Sequence, residues 1–179
     1  MKVAKMVLFI ILGLICIFII FAVAMGAIYG KINKTEQANE EVVLGSGEQQ
    51  ALILYQESKG SLVKRNMDRI ADELIQKGYQ VTMNHPRKDN GYQAEDYDVV
   101  VLASPVYARQ ISEPLCAYAD SQDFSNTKVF LVVTGLVESN DESKDLREHI
   151  NDAIEIASIK TGKVEEKTIQ TLEQLLESE

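Results

Sequence analysis

The sequence predicts an α/β domain with a parallel sheet, preceded by one long apolar helix. Three observations support this prediction. Residues 7–28 are almost wholly apolar, and residues 6–30 include no charged residue. Beyond residue 50, short apolar runs alternate with amphipathic segments. One of these runs, residues 99–103, is unbroken, which is typical of a strand that is covered on both faces in a parallel sheet.

The N-terminal apolar run is long enough to cross a bilayer, because about 20 helical residues span a hydrocarbon core of about 30 Å. We therefore expect a single-pass anchor in the cell membrane over residues 1–30, with residues 7–28 in contact with lipid. The alternative is a secretory signal peptide, but its apolar region is usually only about 7–15 residues long. The triplet Ala22-Val23-Ala24 leaves cleavage open. Lysines flank the run on both sides, so the side that the domain faces is not decided.

The charges are unevenly distributed along the chain. All 27 acidic residues follow residue 35, whereas four of the 18 Lys and Arg flank the apolar run. The rest of the chain therefore has 14 basic against 27 acidic residues, a formal charge of −13. Such a surface repels nucleic acid and attracts a basic partner protein. We expect no nucleic acid among the partners.

Residues 31–50 are polar and predict a flexible linker, with a root-mean-square reach of about 25 Å. The domain is expected over residues 51–179. Its five predicted strands are residues 51–55, 79–83, 99–103, 129–134 and 158–164. Between them, Val63 begins a helix that ends at Gly78, and Ser112 caps a helix that starts with Glu113-Pro114. Apolar residues at helical spacing predict two more helices, one with Leu146, Ile150, Ala153, Ile154 and Ala157, the other with Ile169, Leu172, Leu175 and Leu176.

Strands that alternate with helices imply right-handed crossovers and helices on both faces of the sheet. Ligands of such sheets bind outside the carboxyl ends of the strands, where the strand order reverses. Three loops reach that edge, residues 56–62, 104–111 and 134–141. We expect them to form one site.

Three segments in these regions resemble the flavodoxin family in order and spacing: LYQESKGSLVKRNMDRIA, YDVVVLASPVYARQISEPL and KVFLVVTGL. The resemblance covers residues 51 to about 156. It implies a flavodoxin-like, doubly wound sheet of five parallel strands in the order 2-1-3-4-5, and noncovalently bound FMN. It further implies a phosphate loop and two loops beside the isoalloxazine ring. The phosphate loop comprises Ser58, Lys59, Gly60, Ser61, Leu62 and Val63. The first loop beside the ring comprises Ser104, Pro105, Val106, Tyr107 and Ala108, and the second comprises Thr134 and Gly135.

Physical chemistry agrees with these roles. A helix N terminus offers free N–H groups and a positive dipole end to a phosphate, and Ser58 and Ser61 add hydroxyl donors. Tyr107 has a ring that can stack on a planar group, and Gly135 has no side chain to block a ring edge. Taken singly, each of these residues is also an ordinary loop residue.

The phosphate loop departs from the family pattern Ser/Thr-x-Thr-Gly-x-Thr. Its last Thr is replaced by Val63, and its Thr-Gly pair by Gly60-Ser61. In the second loop, Arg109 and Ile111 stand where related sequences tend to have Gly and Pro. A Val63→Thr substitution is expected to tighten FMN binding, unless residue 63 faces the core.

Two classes of function follow. The first is a membrane-tethered, FMN-binding electron-transfer protein or oxidoreductase, whose partner is a basic redox protein or a membrane-derived substrate such as a quinone. The second is a domain of the same fold that has lost flavin and acts as a membrane-anchored binding module. No side chain is assigned a catalytic role, and the separated His85 and His149 predict no metal site. An acidic rim either caps a helix or docks a basic partner, and would lower the second flavin potential: Glu138, Asp141, Glu142 and Asp145.

Overall fold

A computed structural model describes residues 2–137 and 140–178. The helices of this part of the chain are α1 (Lys2–Ile32), α2 (Leu62–Gln76), α3 (Glu113–Asp120), α4 (Ser143–Arg147) and α5 (Glu166–Glu177). Its strands are β1 (Val42–Leu44), β2 (Gln49–Tyr55), β3 (Tyr79–Asn84), β4 (Val99–Pro105), β5 (Lys128–Thr134) and β6 (Glu155–Thr161).

The six strands form one sheet in the order β1-β3-β2-β4-β5-β6. Strands β2 to β6 are parallel to one another. In chain order these five strands have the predicted arrangement 2-1-3-4-5, so the fold class is confirmed. The strand count differs from the prediction, because β1 adds a sixth, antiparallel strand at the edge beside β3. Central strand β4 is buried at all seven positions, which explains its unbroken apolar sequence.

The core has two layers, one on each face of the sheet. Alternate side chains of β4 point to opposite faces. Val99, Val101 and Ala103 pack with α2 and α5, whereas Val100 and Leu102 pack with α3 and α4. The predicted cap of α3 is also present, because the side chain of Ser112 accepts a hydrogen bond from the N–H of Leu115.

The chain between α1 and β2 differs from the predicted flexible linker. Residues 42–44 form β1, which pairs antiparallel with β3, so that Val42 faces Met83. The turn after β1 is tight, because a Cβ on Gly47 would lie 1.7 Å from the carbonyl oxygen of Gly78. Strand β1 precedes residue 51 and extends the sheet beyond the predicted N-terminal limit of the domain.

The helix predicted to extend through Ala157 is wrong in its C-terminal half. Helix α4 ends at Arg147, and Ala157 lies in β6. Between them, Asp152 has a φ of 57°, in the left-handed region that interrupts a helix. The apolar residues in this stretch belong to three successive elements, and their helical spacing is a coincidence.

Helix α1 includes a stretch, Lys5–Ile32, that is long and apolar enough to cross a membrane. Side chains 5–24 are exposed all round, as suits a helix surrounded by lipid. From residue 25 onward, part of the helix is half-buried against the domain.

Candidate functional site

A cavity of about 700 Å³ opens at the carboxyl edge of the sheet, where the predicted loops meet. Nine of the predicted site residues line it: Ser58, Gly60, Leu62, Pro105, Val106, Tyr107, Ala108, Thr134 and Gly135. Predicted residues Lys59, Ser61, Val63 and Ser104 lie outside the lining. The cavity is placed at the reversal of strand order, because β2 lies between β3 and β4.

The first wall of the cavity is the loop before α2. Helix α2 begins at Leu62 and has no acidic residue in its first turn, so no carboxylate of that turn offsets its N-terminal dipole. The hydroxyl of Ser58 is hydrogen-bonded to the carbonyl of Gly60 within the loop. The N–H of Lys59 donates to the hydroxyl oxygen of Tyr107, 3.2 Å away. This bond ties the first predicted loop to the second.

Val63 lies on the inner face of α2. Its side chain is fully buried and packs in the core with Met67 and Ile70. A threonine at this position would therefore direct its hydroxyl into the core and not toward a phosphate, so the condition under which Val63→Thr fails to improve binding is met.

The second wall is the loop after β4, which closes in a tight turn. Tyr107 and Gln110 exchange two backbone hydrogen bonds of 3.1 and 2.9 Å. Between them, Ala108 and Arg109 have φ angles of 51° and 61°. Two consecutive left-handed residues are the geometry that favours glycine, yet this chain has Ala and Arg at these positions. This left-handed backbone costs conformational free energy, and strained residues of this kind tend to cluster at functional sites such as the edge of a cavity.

Gly135 shapes the third wall. A Cβ at this position would lie 3.2 Å from Cε of Lys160 and 3.3 Å from Cβ of Val106. The neighbouring strand end is fixed as well, because the N–H of Val106 donates to the carbonyl of Thr134 at 2.8 Å. Glycine therefore keeps open a space that any other side chain would narrow.

Lys160, near the end of β6, is a lining residue that the sequence analysis missed. Its side chain is 9% exposed, and that of its partner Glu142 is 6% exposed. The ammonium group forms an ion pair with Glu142 and donates to the carbonyl oxygens of Val137 and Asn140. The sequence does not reveal that Lys160 binds the loop after β5, because the carbonyl groups to which it donates lie 23 and 20 residues earlier in the chain.

The ion pair reduces the net negative charge of the predicted acidic rim. Glu142 is buried and neutralised by Lys160, while Asp141 accepts a hydrogen bond from the hydroxyl of Ser143 at the start of α4. Asp141, Glu142 and Asp145 also line a smaller, polar cavity together with Arg109 and Asn140. Glu138 lies outside the described residues. The charge beside the main cavity is therefore closer to balanced than the acidic sequence suggested.

Helix α1 supplies three more lining residues that the sequence analysis missed: Met25, Gly26 and Tyr29. The ring centroid of Tyr29 lies 5.1 Å from that of Tyr107. The expectation of a flexible linker hid this contact, because it placed the helix away from the domain.

The fold agrees with comparisons to known proteins. The family profile described as a flavodoxin domain matches residues 52–176. Among solved structures, a flavodoxin from Streptococcus pneumonia TIGR4 is 19% identical, with a TM-score of 0.56 over 72% of this chain and 95% of the other. Flavodoxin 2 from Bacillus cereus is 19% identical, with a TM-score of 0.52 over 71% and 95%.

An NADH:FMN oxidoreductase in its apo form is 15% identical, with a TM-score of 0.55 over 72% of this chain and 86% of the other. No curated protein sequence matches the chain. The structural likenesses establish the fold, and the profile covers well over half of the chain. The chain belongs to the flavodoxin domain family.

Proposed function

We propose that this protein binds FMN in the cavity at the carboxyl edge of the sheet and acts as a membrane-tethered electron carrier or oxidoreductase. The observation that carries the proposal is that one cavity joins the N terminus of α2, the ring of Tyr107 and the open space at Gly135. Structural neighbours of this chain include flavodoxins and an NADH:FMN oxidoreductase.

The residues present fit a flavin mononucleotide. The cavity volume of about 700 Å³ lies within the usual range for small-molecule sites. One end of the cavity meets a helix N terminus with no acidic residue in its first turn, which suits a phosphate. The lining also includes the aromatic ring of Tyr107 and a glycine whose Cβ would crowd the space, which suits a planar ring. When bound, FMN supplies one- and two-electron chemistry.

The side chains of this chain would position the cofactor and tune its surroundings. Tyr107 is held by the N–H of Lys59, so its ring is fixed relative to the phosphate loop. Lys160 holds the third loop through two carbonyls and sets a positive charge beside the cavity. That charge offsets Glu142, so the rim would lower the second flavin potential less than its sequence alone implied.

Helix α1 would hold the protein in the cell membrane as a single-pass anchor. Two partners are compatible with this placement: a basic redox protein attracted by the acidic body, or a substrate from the bilayer such as a quinone.

Titration of the full chain in lipid nanodiscs with FMN tests the proposal through quenching of flavin fluorescence. We expect saturable binding by the wild type. Tyr107→Ala should weaken it by about 1–3 kcal/mol, the scale of one aromatic stack. Tyr92→Ala is the matched control, because Tyr92 is half-buried outside the cavity. If the wild type does not bind at millimolar FMN, the flavin function is wrong, and the binding-module alternative replaces it.

A further inference from the structure

The last turns of the apolar helix lie directly on the cavity. Met25, Gly26 and Tyr29 line it. These residues are half-buried, whereas the helix residues before them are exposed. Tyr29 lies one turn after Met25 and Gly26, so that a single face of α1 contacts the domain.

A hydrogen-bonded joint fixes the helix in this position. Asn33 follows α1 and is fully buried. Its side-chain Nδ2 donates to the carbonyls of Pro105 and Gln110 at 3.0 and 2.6 Å. Its own carbonyl accepts the N–H of Glu113 at 2.6 Å. All three partners flank or belong to the loop that carries Tyr107.

A second contact reaches the end of β2. Buried Gln56 donates from Nε2 to the carbonyls of Ile32 and Thr35 at 2.7 and 3.2 Å. The helix end is therefore held by both of the strands between which the order of the sheet reverses. A tether that merely linked two bodies would need none of these buried bonds.

Tyr29 also joins the two loops that it touches. Its ring lies 5.1 Å from the ring of Tyr107, tilted by 34°. Nζ of Lys59 lies 4.5 Å from the centroid of the same Tyr29 ring, in cation–π range. Tyr29 of the apolar helix therefore contacts both the predicted phosphate loop, through Lys59, and the loop after β4, through Tyr107.

The cavity is also lined by the C-terminal part of the apolar run, residues 7–28. Met25 precedes Ile28, the last residue of that run, by three positions, or about 4.5 Å along the helix axis. A wall that includes Met25 therefore stands where the apolar run ends and the polar chain begins.

We propose that the last two turns of α1 are part of the cofactor-binding site, so that the anchor serves as the fourth wall of the pocket. This inference rests on the proposed FMN function. In a membrane, the pocket is then held at the interface between lipid and water, and the affinity for FMN depends on side chains of the anchor.

Two glycines of the same helix provide a matched test. A Cβ on Gly26 or on Gly13 would meet nothing within 4 Å, so both positions accept a larger side chain. Gly26 lines the cavity, whereas Gly13 lies in the exposed part of the helix. Leucine is the better helix former, so neither Gly26→Leu nor Gly13→Leu should impair the helix.

The full chain in lipid nanodiscs is titrated with FMN, with flavin fluorescence as the readout. Gly26→Leu should raise the dissociation constant about tenfold or more, because its side chain enters the pocket. Gly13→Leu should leave it within about twofold of the wild-type value. Tyr29→Ala is a second variant that removes bulk from the same wall, and it should also weaken binding by about tenfold.

The outcomes separate the two proposals. If the wild type binds FMN and both Gly26→Leu and Tyr29→Ala bind equally well, the anchor is not part of the site, and the proposed function stands. If the wild type itself fails to bind FMN, both proposals are wrong. Equal losses in Gly26→Leu and Gly13→Leu would also overturn the inference, because the effect would then belong to the helix in general.

Discussion

The N–H of Ser112 donates a hydrogen bond to Oγ of Ser104 at 2.8 Å, and both residues are fully buried. The hydroxyl of Ser112 in turn donates to Oε1 of Gln56 at 3.1 Å. Since Gln56 also holds the end of α1, one buried polar network joins α1, the loop after β4 and the cap of α3. Ser104, predicted to touch the ligand, is instead part of the support behind the wall.

Removal of the Ser104 hydroxyl should therefore destabilise the domain. Ser104→Ala leaves the buried N–H of Ser112 without its acceptor, which costs about 1–3 kcal/mol. Ser46→Ala is the control, because Ser46 is exposed and should change stability by less than about 0.5 kcal/mol. Urea unfolding of the detergent-solubilised chain, followed by far-UV circular dichroism, measures both. Equal stability of the two variants would contradict a supporting role for Ser104.

Val63→Thr should lower stability without improving FMN binding. The introduced hydroxyl would be buried among the apolar residues around α2, at a cost of about 1–3 kcal/mol. The same urea assay gives the stability, and the FMN titration gives the affinity. Tighter binding in this variant would show that residue 63 reaches the phosphate after all.

The Lys160–Glu142 ion pair should be far more important for stability than an exposed pair in the same region. Lys160→Met leaves a nearly buried carboxylate unpaired, which costs about 3–5 kcal/mol. Lys163→Met is the control, since Lys163 is 75% exposed and lies 3.7 Å from Glu165, where about 0–1 kcal/mol is expected. The double change Lys160→Met with Glu142→Leu should recover part of the loss. No recovery in urea unfolding would refute the assignment of the cost to the unpaired charge.

Gly47→Ala should disrupt the turn that leads into β2. Its Cβ would lie 1.7 Å from the carbonyl oxygen of Gly78, so the backbone must move, and a loss above about 2 kcal/mol is expected. Gly91→Ala is the control, because a Cβ there meets nothing within 4 Å. Thermal unfolding should separate the two variants by several degrees. A Gly47→Ala chain as stable as Gly91→Ala would show that β1 and β2 are joined differently.

The thiol of Cys116 should be unreactive in the folded protein. Burial raises its pKa to about 12, and the carboxylates of Asp120 and Glu113 contribute in the same direction. Because the thiolate is the reactive form, a raised pKa makes it scarce until the pH approaches 12. In a Cys16→Ser background, a colorimetric thiol reagent at pH 8 should react at least about a hundredfold more slowly than after unfolding in guanidinium chloride. Fast reaction of the folded chain would mean that α3 opens readily.

Much of the fold was predictable because local patterns and buried surface agreed. The apolar runs of β2, β4 and β5 reveal strands covered on both faces, and Ser112 sits before Glu-Pro as a cap requires. The apolar residues after Leu146 misled the prediction, because loop residues packed on the core can mimic helical spacing. Strand β1 was missed because it has only three residues, two of them exposed valines, and so shows no alternation of apolar and polar side chains.

The cavity was predictable where its residues follow strand ends directly, as Tyr107 and Gly135 do. Lys160 and Tyr29 could not be found in this way. Their roles come from carbonyl groups and rings that are distant in sequence, and neither residue type is unusual for a strand or for the end of an apolar helix. Val63 shows the converse limit, because it aligns with the last Thr of the family's phosphate-loop pattern and yet its side chain faces the core.

The pairing of β1 has a consequence for synthesis of the protein. Strand β1 leaves the ribosome before β3, yet β3 is the strand with which it pairs. The partners of Asn33, Pro105 and Gln110, follow it by 72 and 77 residues. A chain that inserts α1 into a membrane while it is being made must therefore pass through a stage in which the helix is inserted and its joint with the domain has not formed. The pairing of β1 requires chain only as far as β3, whereas the seat of the helix requires the loop after β4, so β1 can join the sheet before α1 is fixed to the domain.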